Sequence, residues 1–152
     1  MSASGKKQGH CFTARYNYLS NKLLNEVETE AWDPGGQKPV KAVASALWDT
    51  GATITIIRPE IVAKLGITPF TYAQISTPNG ISDCGMYYVN IYLKGGLEVE
   101  RAKVLEAFPE NCDMLIGMDI IGMGDFAVTN FNGKTTFSFR VPSEMEIDFE
   151  FD

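Results

Sequence analysis

The chain has 152 residues, 45% of them hydrophobic and 21% charged, which is enough apolar material for one globular domain with a real core. Its formal net charge of -6 argues against a nucleic-acid partner, whose phosphates demand clustered Lys and Arg. The lone histidine, His10, argues against Ser-His or Cys-His catalysis within one chain, and the three cysteines, Cys11, Cys84 and Cys112, have no spacing that suggests a disulfide framework or a zinc site.

Residues 1–10, with Lys6 and Lys7, are expected to be a flexible N-terminus. They lack the apolar centre of a secretion signal, and no run later in the chain approaches the roughly twenty apolar residues of a membrane span. A soluble cytoplasmic protein with reduced thiols is therefore expected. Cys11 to Tyr18 and Leu23 to Trp32 alternate apolar and polar residues, the period of half-buried strands, before a turn over Asp33-Pro34-Gly35-Gly36. An apolar strand, Val40 to Trp48, then runs into Asp49-Thr50-Gly51-Ala52, and Ile54 to Ile57 resumes the β-branched pattern. Arg58 to Gly66 predicts a short helix: Pro59 suits the first turn, Glu60 precedes Lys64 by four residues, Ile61 and Leu65 share a face, and Gly66 stops it.

Thr68 to Ser76 and Ser82 to Leu93 predict a hairpin with its tip at Asn79-Gly80, and the Gly95-Gly96 turn leads into Leu97 to Leu105. Tyr87, Tyr88 and Tyr92 suggest a strand packed on both faces. Between Asp113 and Gly122 an apolar strand ends at a glycine and gives way to a short helical turn. Phe126 to Phe131 and Lys134 to Val141 flank Asn132-Gly133, a second hairpin signal. The tail, 142–152, is acidic and without a base; Met145, Ile147, Phe149 and Phe151 alternate with its acids, a pattern suited to an exposed segment, a partner-seeking one or an added edge strand.

The chemistry concentrates at Asp49. A carboxylate in a tight turn between two apolar strands is common enough as an ordinary Asx turn, so the triplet carries meaning through its setting. Gly51 lets the backbone fold back, and the small neighbours Thr50 and Ala52 let a substrate or a second chain come close. Carboxylate-driven hydrolysis needs two acids sharing one proton, one as general base and one as general acid. The triplet occurs once, so a symmetric homodimer is its simplest completion.

The turn Leu47-Trp48-Asp49-Thr50-Gly51-Ala52 and the later Leu115-Ile116-Gly117, leading to Asp119-Ile120-Ile121, together resemble the retroviral-type aspartic protease family. These are the dimeric retropepsin-like domains of retroviruses, retroelements, eukaryotic ubiquitin-shuttle proteins and many bacteria. The resemblance runs over about residues 40 to 131 and implies an all-β chain, a retropepsin-like closed β-barrel of the acid-protease fold with one or two short helices, expected to be a homodimer. It implies one domain over 11–141, with extension strands over 11–38 and a core over 39–131, followed by the acidic tail over 142–152.

By that resemblance Asp49 is the catalytic acid, the Thr50 hydroxyl braces the paired loops across the dimer, the Gly51 carbonyl meets bound peptide and Ala52 lines the floor. Ala73 to Gly85 becomes the flap, with Thr77, Pro78, Asn79 and Gly80 over the substrate. Leu115, Ile116 and Gly117 form the second structural motif, and Phe137 and Phe139 are candidates for terminal strands that interleave across the dimer or close the monomer's own sheet. Viral members often pair an arginine after the second glycine with an acid just past the catalytic turn; here those positions hold Met118 and Thr53, closer to the cellular and bacterial branch. The function implied is an aspartic endopeptidase acting on a peptide or protein through a water, with no metal, no cofactor, no nucleic acid and no membrane partner. The alternative is a non-catalytic peptide-binding or dimerisation module that keeps the fold.

Overall fold

The computed structural model describes residues 10–33, 35–36 and 39–151. Most of the expected flexible start, Pro34 of the first turn and Asp152 lie outside the described residues. The described residues form ten strands and two short α-helices, in the order β1 (Cys11–Arg15), β2 (Leu23–Ala31), β3 (Lys41–Trp48), β4 (Ile56–Ile57), α1 (Pro59–Leu65), β5 (Thr71–Thr77), β6 (Gly80–Tyr92), β7 (Glu98–Glu106), β8 (Met114–Ile116), α2 (Met118–Ile121), β9 (Asp125–Thr129) and β10 (Thr136–Arg140).

Seven strands form one sheet, ordered β2-β3-β8-β4-β7-β6-β5, and a further pairing of β2 with β6 closes six of them into a barrel. The closing seam runs Glu28 to Tyr92 through Ala31 to Val89, antiparallel. Closure removes the free edges of those six strands, which would otherwise invite unwanted pairing, and leaves β5 as the one strand of this sheet outside the barrel. β2, which lies within the expected extension over 11–38, pairs with both β3 and β6 as a stave of the barrel, and its Val27 and Thr29 are 2% and 0% exposed.

α1 follows its sequence signals. Pro59 occupies the first turn, Ile61, Val62 and Leu65 are buried, and Gly66 ends the helix at φ 63 with its amide on the Val62 and Ala63 carbonyls. Strands are shorter than their apolar runs suggest: β4 keeps only Ile56 and Ile57, and β9 stops at Thr129. Between β9 and β10 the chain makes a 3-10 turn over Phe131–Gly133, with Asn132 and Gly133 both at positive φ.

A second sheet, β1-β10-β9, lies within one chain. Phe137 and Phe139, weighed above for exchange across a dimer, are 0% and 1% exposed in the chain's own core. Strict alternation sends both rings inward from β10, while Ser138 faces out to hydrogen bond Thr13 of β1 at 2.8 Å. Trp48 joins the two sheets: its ring lies 5.1 Å from Phe139, 5.5 Å from Phe12 and 5.6 Å from Phe126, and its indole N–H donates to the Asn25 side chain at 2.6 Å. Burying one such ring contributes roughly 1.5–3 kcal/mol, so the residue immediately before Asp49 is among the best anchored in the molecule. No strand forms over 142–151, so the tail's alternation does not extend either sheet.

Candidate active site

Asp49 leaves the end of β3 at the point where β3 pairs parallel with β8, Trp48 opposite Ile116. Its amide donates to the Ile116 carbonyl at 2.9 Å, so the acid's backbone is pinned to the second motif before the turn begins. The turn is then closed from inside: the Gly51 amide donates to Asp49 Oδ1 at 2.8 Å and the Ala52 amide to the Asp49 carbonyl at 3.2 Å. A Cβ on Gly51 would stand 3.1 Å from Asp49 Oδ1, crowding the carboxylate that the turn presents. Thr50 and Gly51 are exposed, whereas Asp49 and Ala52 are half-buried.

The outgoing limb is held as firmly. The Met118 amide donates to the Ala52 carbonyl at 2.7 Å. Thr55, 0% exposed, donates its amide to Asp119 Oδ2 at 3.0 Å and its hydroxyl to Asp119 Oδ1 at 2.7 Å, and its Oγ1 accepts from the Gly117 amide at 3.2 Å. Gly117 is required by this crossing: a Cβ there would sit 2.8 Å from the Ala52 carbonyl oxygen and 2.9 Å from that of Ile54. Leu115, Ile116 and Gly117 thus act on Asp49 through backbone and packing.

Thr55 was not singled out in the sequence, and Asp119 appeared only as the start of the short helix in the second motif. The only hints were a hydroxyl set in an otherwise β-branched run and an acid at the start of a helical turn. Their bond spans 64 residues and exists only in three dimensions. They tie α2 to the Asp49 turn through two hydrogen bonds. A similar clasp holds the start of β8, where Asp113 Oδ2 accepts from the Ser45 amide at 2.9 Å and the Asp113 amide donates back to Ser45 Oγ at 3.0 Å.

The hairpin expected as the flap is β5 and β6, whose ladder runs from Thr71 opposite Met86 to Thr77 opposite Gly80. The tip is shifted by one residue from its expected position. Pro78 and Asn79 form the two-residue loop, and Gly80, at φ 114, opens the returning strand. Proline fits the first loop position because its φ is preset and no ladder amide is needed there. Thr77 Oγ1 donates to the Gly80 carbonyl at 2.8 Å. At the hairpin's root, Gly85 passes over Tyr87, whose hydroxyl would lie 2.8 Å from a Cβ. That phenol donates to Glu106, and burial together with this bond raises its pKa. Nearby, burial also raises the Cys112 thiol.

Residues 39–123 match the family described as "gag-polyprotein putative aspartyl protease". The chain belongs to this family. Among solved structures, a retropepsin-like aspartic protease from Rickettsia conorii is similar at 12% identity and TM-score 0.56, over 90% of this chain and 98% of that one. EIAV protease, complexed with the inhibitor HBY-793, is similar at 21% identity and TM-score 0.50, over 70% of this chain and 90% of that one. At such identities the two likenesses speak for the fold, a retropepsin-like barrel, and the family match carries the aspartic protease assignment. No curated protein sequence matches the chain. Among the described residues no helix is long and apolar enough to cross a membrane.

Proposed function

We propose that the chain is an aspartic endopeptidase whose site is completed by a second copy, so that Asp49 and the Asp49 of that copy act on one water. The observation that carries this reading is the setting of Asp49. Its carboxylate stands in a turn whose every limb is bonded to β8 or α2, while the triplet that presents it occurs only once in the chain. One carboxylate takes a proton from the water as its oxygen attacks the scissile carbonyl carbon, and the other gives a proton to the carbonyl oxygen. Collapse of the tetrahedral intermediate breaks the C–N bond, and the amine leaves with a proton. Two acids at close range do not both ionise cheaply, so the pair titrates as a unit and favours mildly acidic pH.

Thr50 is assigned to bracing the paired loops, Gly51 and Ala52 to the floor under the peptide, and Thr77, Pro78, Asn79 and Gly80 to a flap that closes over an extended substrate. One observation favours a second reading, a monomeric peptide-binding module. The β1-β10-β9 sheet is complete within one chain, so neither β1 nor β10 is left over to exchange. Sedimentation velocity across a concentration series, at about pH 5 and pH 7, separates the two, and a strict monomer under both conditions overturns the enzyme. In the dimer, Asp49→Asn is expected to lower pepstatin-sensitive peptide hydrolysis by about 10²–10⁴-fold. Full activity in that variant removes Asp49 from the mechanism.

A further inference from the structure

On the outer face of β6 and β7, away from the Asp49 turn in sequence, three rings and two cations form a continuous surface. Phe70 stacks on Tyr88 at 4.1 Å, and Trp32 meets Tyr88 edge-on at 5.5 Å. The Arg101 guanidinium lies 4.8 Å from the Trp32 ring and 4.6 Å from the Tyr88 ring, and Lys103 Nζ lies 6.0 Å from Phe70. Among the described residues, neither cation has a carboxylate within salt-bridge distance. The same rings wall a cavity of about 500 Å³ with Asp33, Pro39, Leu65 and Pro69, and both cations stand outside its lining.

Arg101 is held there at a conformational cost. Its φ is 54, uncommon for a residue with a side chain, at the register shift opposite Val89 and Ile91. The buried Asn90 side chain accepts the Arg101 amide at 2.9 Å and donates to the buried Glu30 at 3.0 Å. A buried polar relay thus spends its hydrogen bonds on keeping an unpaired guanidinium over two rings.

The chain itself carries the complement. Its acidic tail is clasped only at its root, where Asp125 accepts the Glu144 amide at 2.8 Å and the Met145 amide at 3.3 Å. Met145 and Ile147 lie along the face of the β1-β10-β9 sheet, lining a cavity there. Beyond them Phe149 and Phe151 are 80% and 85% exposed, and the hydrogen bonds of residues 148–151 are local ones from the Glu150 and Phe151 amides to Asp148. Since each copy's tail is seated on its own terminal sheet only as far as Ile147 and leaves Phe149 and Phe151 exposed, we propose that residues 148–151 of a second copy dock on the Trp32–Tyr88–Phe70 surface. The phenylalanine rings enter the cavity and the flanking acids pair with Arg101 and Lys103. The complementarity is of charge and of shape class: acids alternating with rings on one side, cations lying over rings on the other. Phe70 donates its amide to Met86 and directly precedes β5, so the docked segment would brace the root of the hairpin.

The test titrates the full-length chain with a synthetic peptide of residues 143–152 and follows the iodide-quenchable part of the tryptophan fluorescence, which belongs to Trp32 because the other tryptophan, Trp48, is buried. Saturable binding that weakens about tenfold in an Arg101→Gln, Lys103→Gln variant, and that a peptide with Asp148 and Glu150 changed to Lys recovers on an Arg101→Glu, Lys103→Glu variant, is the expected result. No change in Trp32 emission overturns the proposal, as does binding that ignores both cations. Equal binding of a scrambled peptide of the same composition also overturns it, since the surface would then accept any acidic chain. None of these readouts involves Asp49 or hydrolysis, so they stand apart from the enzymatic reading.

Discussion

The Asp49 turn and the outer half of the β5–β6 hairpin are tied to the barrel to very different degrees. The turn is stitched to the barrel by Ile116, Gly117, Met118 and Asp119, and its central hydroxyl, Thr55, is fully buried. Along the hairpin, Tyr72 and Ile81 are 66% and 74% exposed, and β5 is bonded to β6 alone. Stability is unevenly spread in such molecules: a segment with little buried apolar contact opens at low cost, while one woven through the core opens only with the whole fold. The contrast suits a site whose reacting group must stay fixed while its cover moves.

The comparison is broken most forcefully at Gly117. Ala there drives a methyl into two backbone carbonyls, and a loss of about 1–3 kcal/mol in urea unfolding is expected together with a fall in activity. If stability fell and peptide hydrolysis did not, the link between β8 and the Asp49 turn would be broken. Thr55→Val is next. It keeps shape but leaves the Gly117 amide and Asp119 short of a partner, for an expected loss of about 1–3 kcal/mol by chemical denaturation.

The opposite signature is expected at Gly80. A Cβ there meets no atom within 4 Å, so Gly80→Ala carries only the strain of φ 114, about 1–3 kcal/mol confined to the hairpin. Local opening of the hairpin relieves this strain, so the unfolding free energy in urea is expected to fall by no more than that opening costs, about 0.5 kcal/mol, while KM rises; a fall equal to the full strain would merge flap and floor into one cooperative unit.

The smallest effect concerns pH. The Asp125 carboxyl is held well below the usual carboxylate range by the Glu144 amide first, then by the Ser143 hydroxyl and Arg140. A depressed folded-state pKa contributes stability that is present above the unfolded value, near 4, and lost only as pH falls through the folded one. Amide-exchange protection at Glu144 and Met145 is therefore expected to be unchanged between about pH 7 and pH 4 and to vanish in Asp125→Ala at any pH. A change in hydrolysis between about pH 7 and pH 5 then belongs to the site rather than to release of the tail.

Much was legible in the chain itself, because local rules decide it. Gly66 ends α1, Asp49-Thr50-Gly51 makes a turn, and Pro78-Asn79-Gly80 reverses a hairpin; each depends on side chains within a few residues. Even the one-residue shift of the tip is a local matter, with proline taking the loop position that Asn79 was expected to hold.

What only the tertiary structure decided is whatever two distant segments share. Period-two alternation said that Phe137 and Phe139 face one way, but not whether they meet a partner's core or their own; Trp48, Phe12 and Phe126 settle that by filling the space around them. The same holds for β2 as a barrel stave, for the bond between Thr55 and Asp119, and for Arg101 over Trp32 and Tyr88. Hydrophobic pattern fixes which face a residue presents, whereas the identity of its neighbour depends on register and closure across the chain.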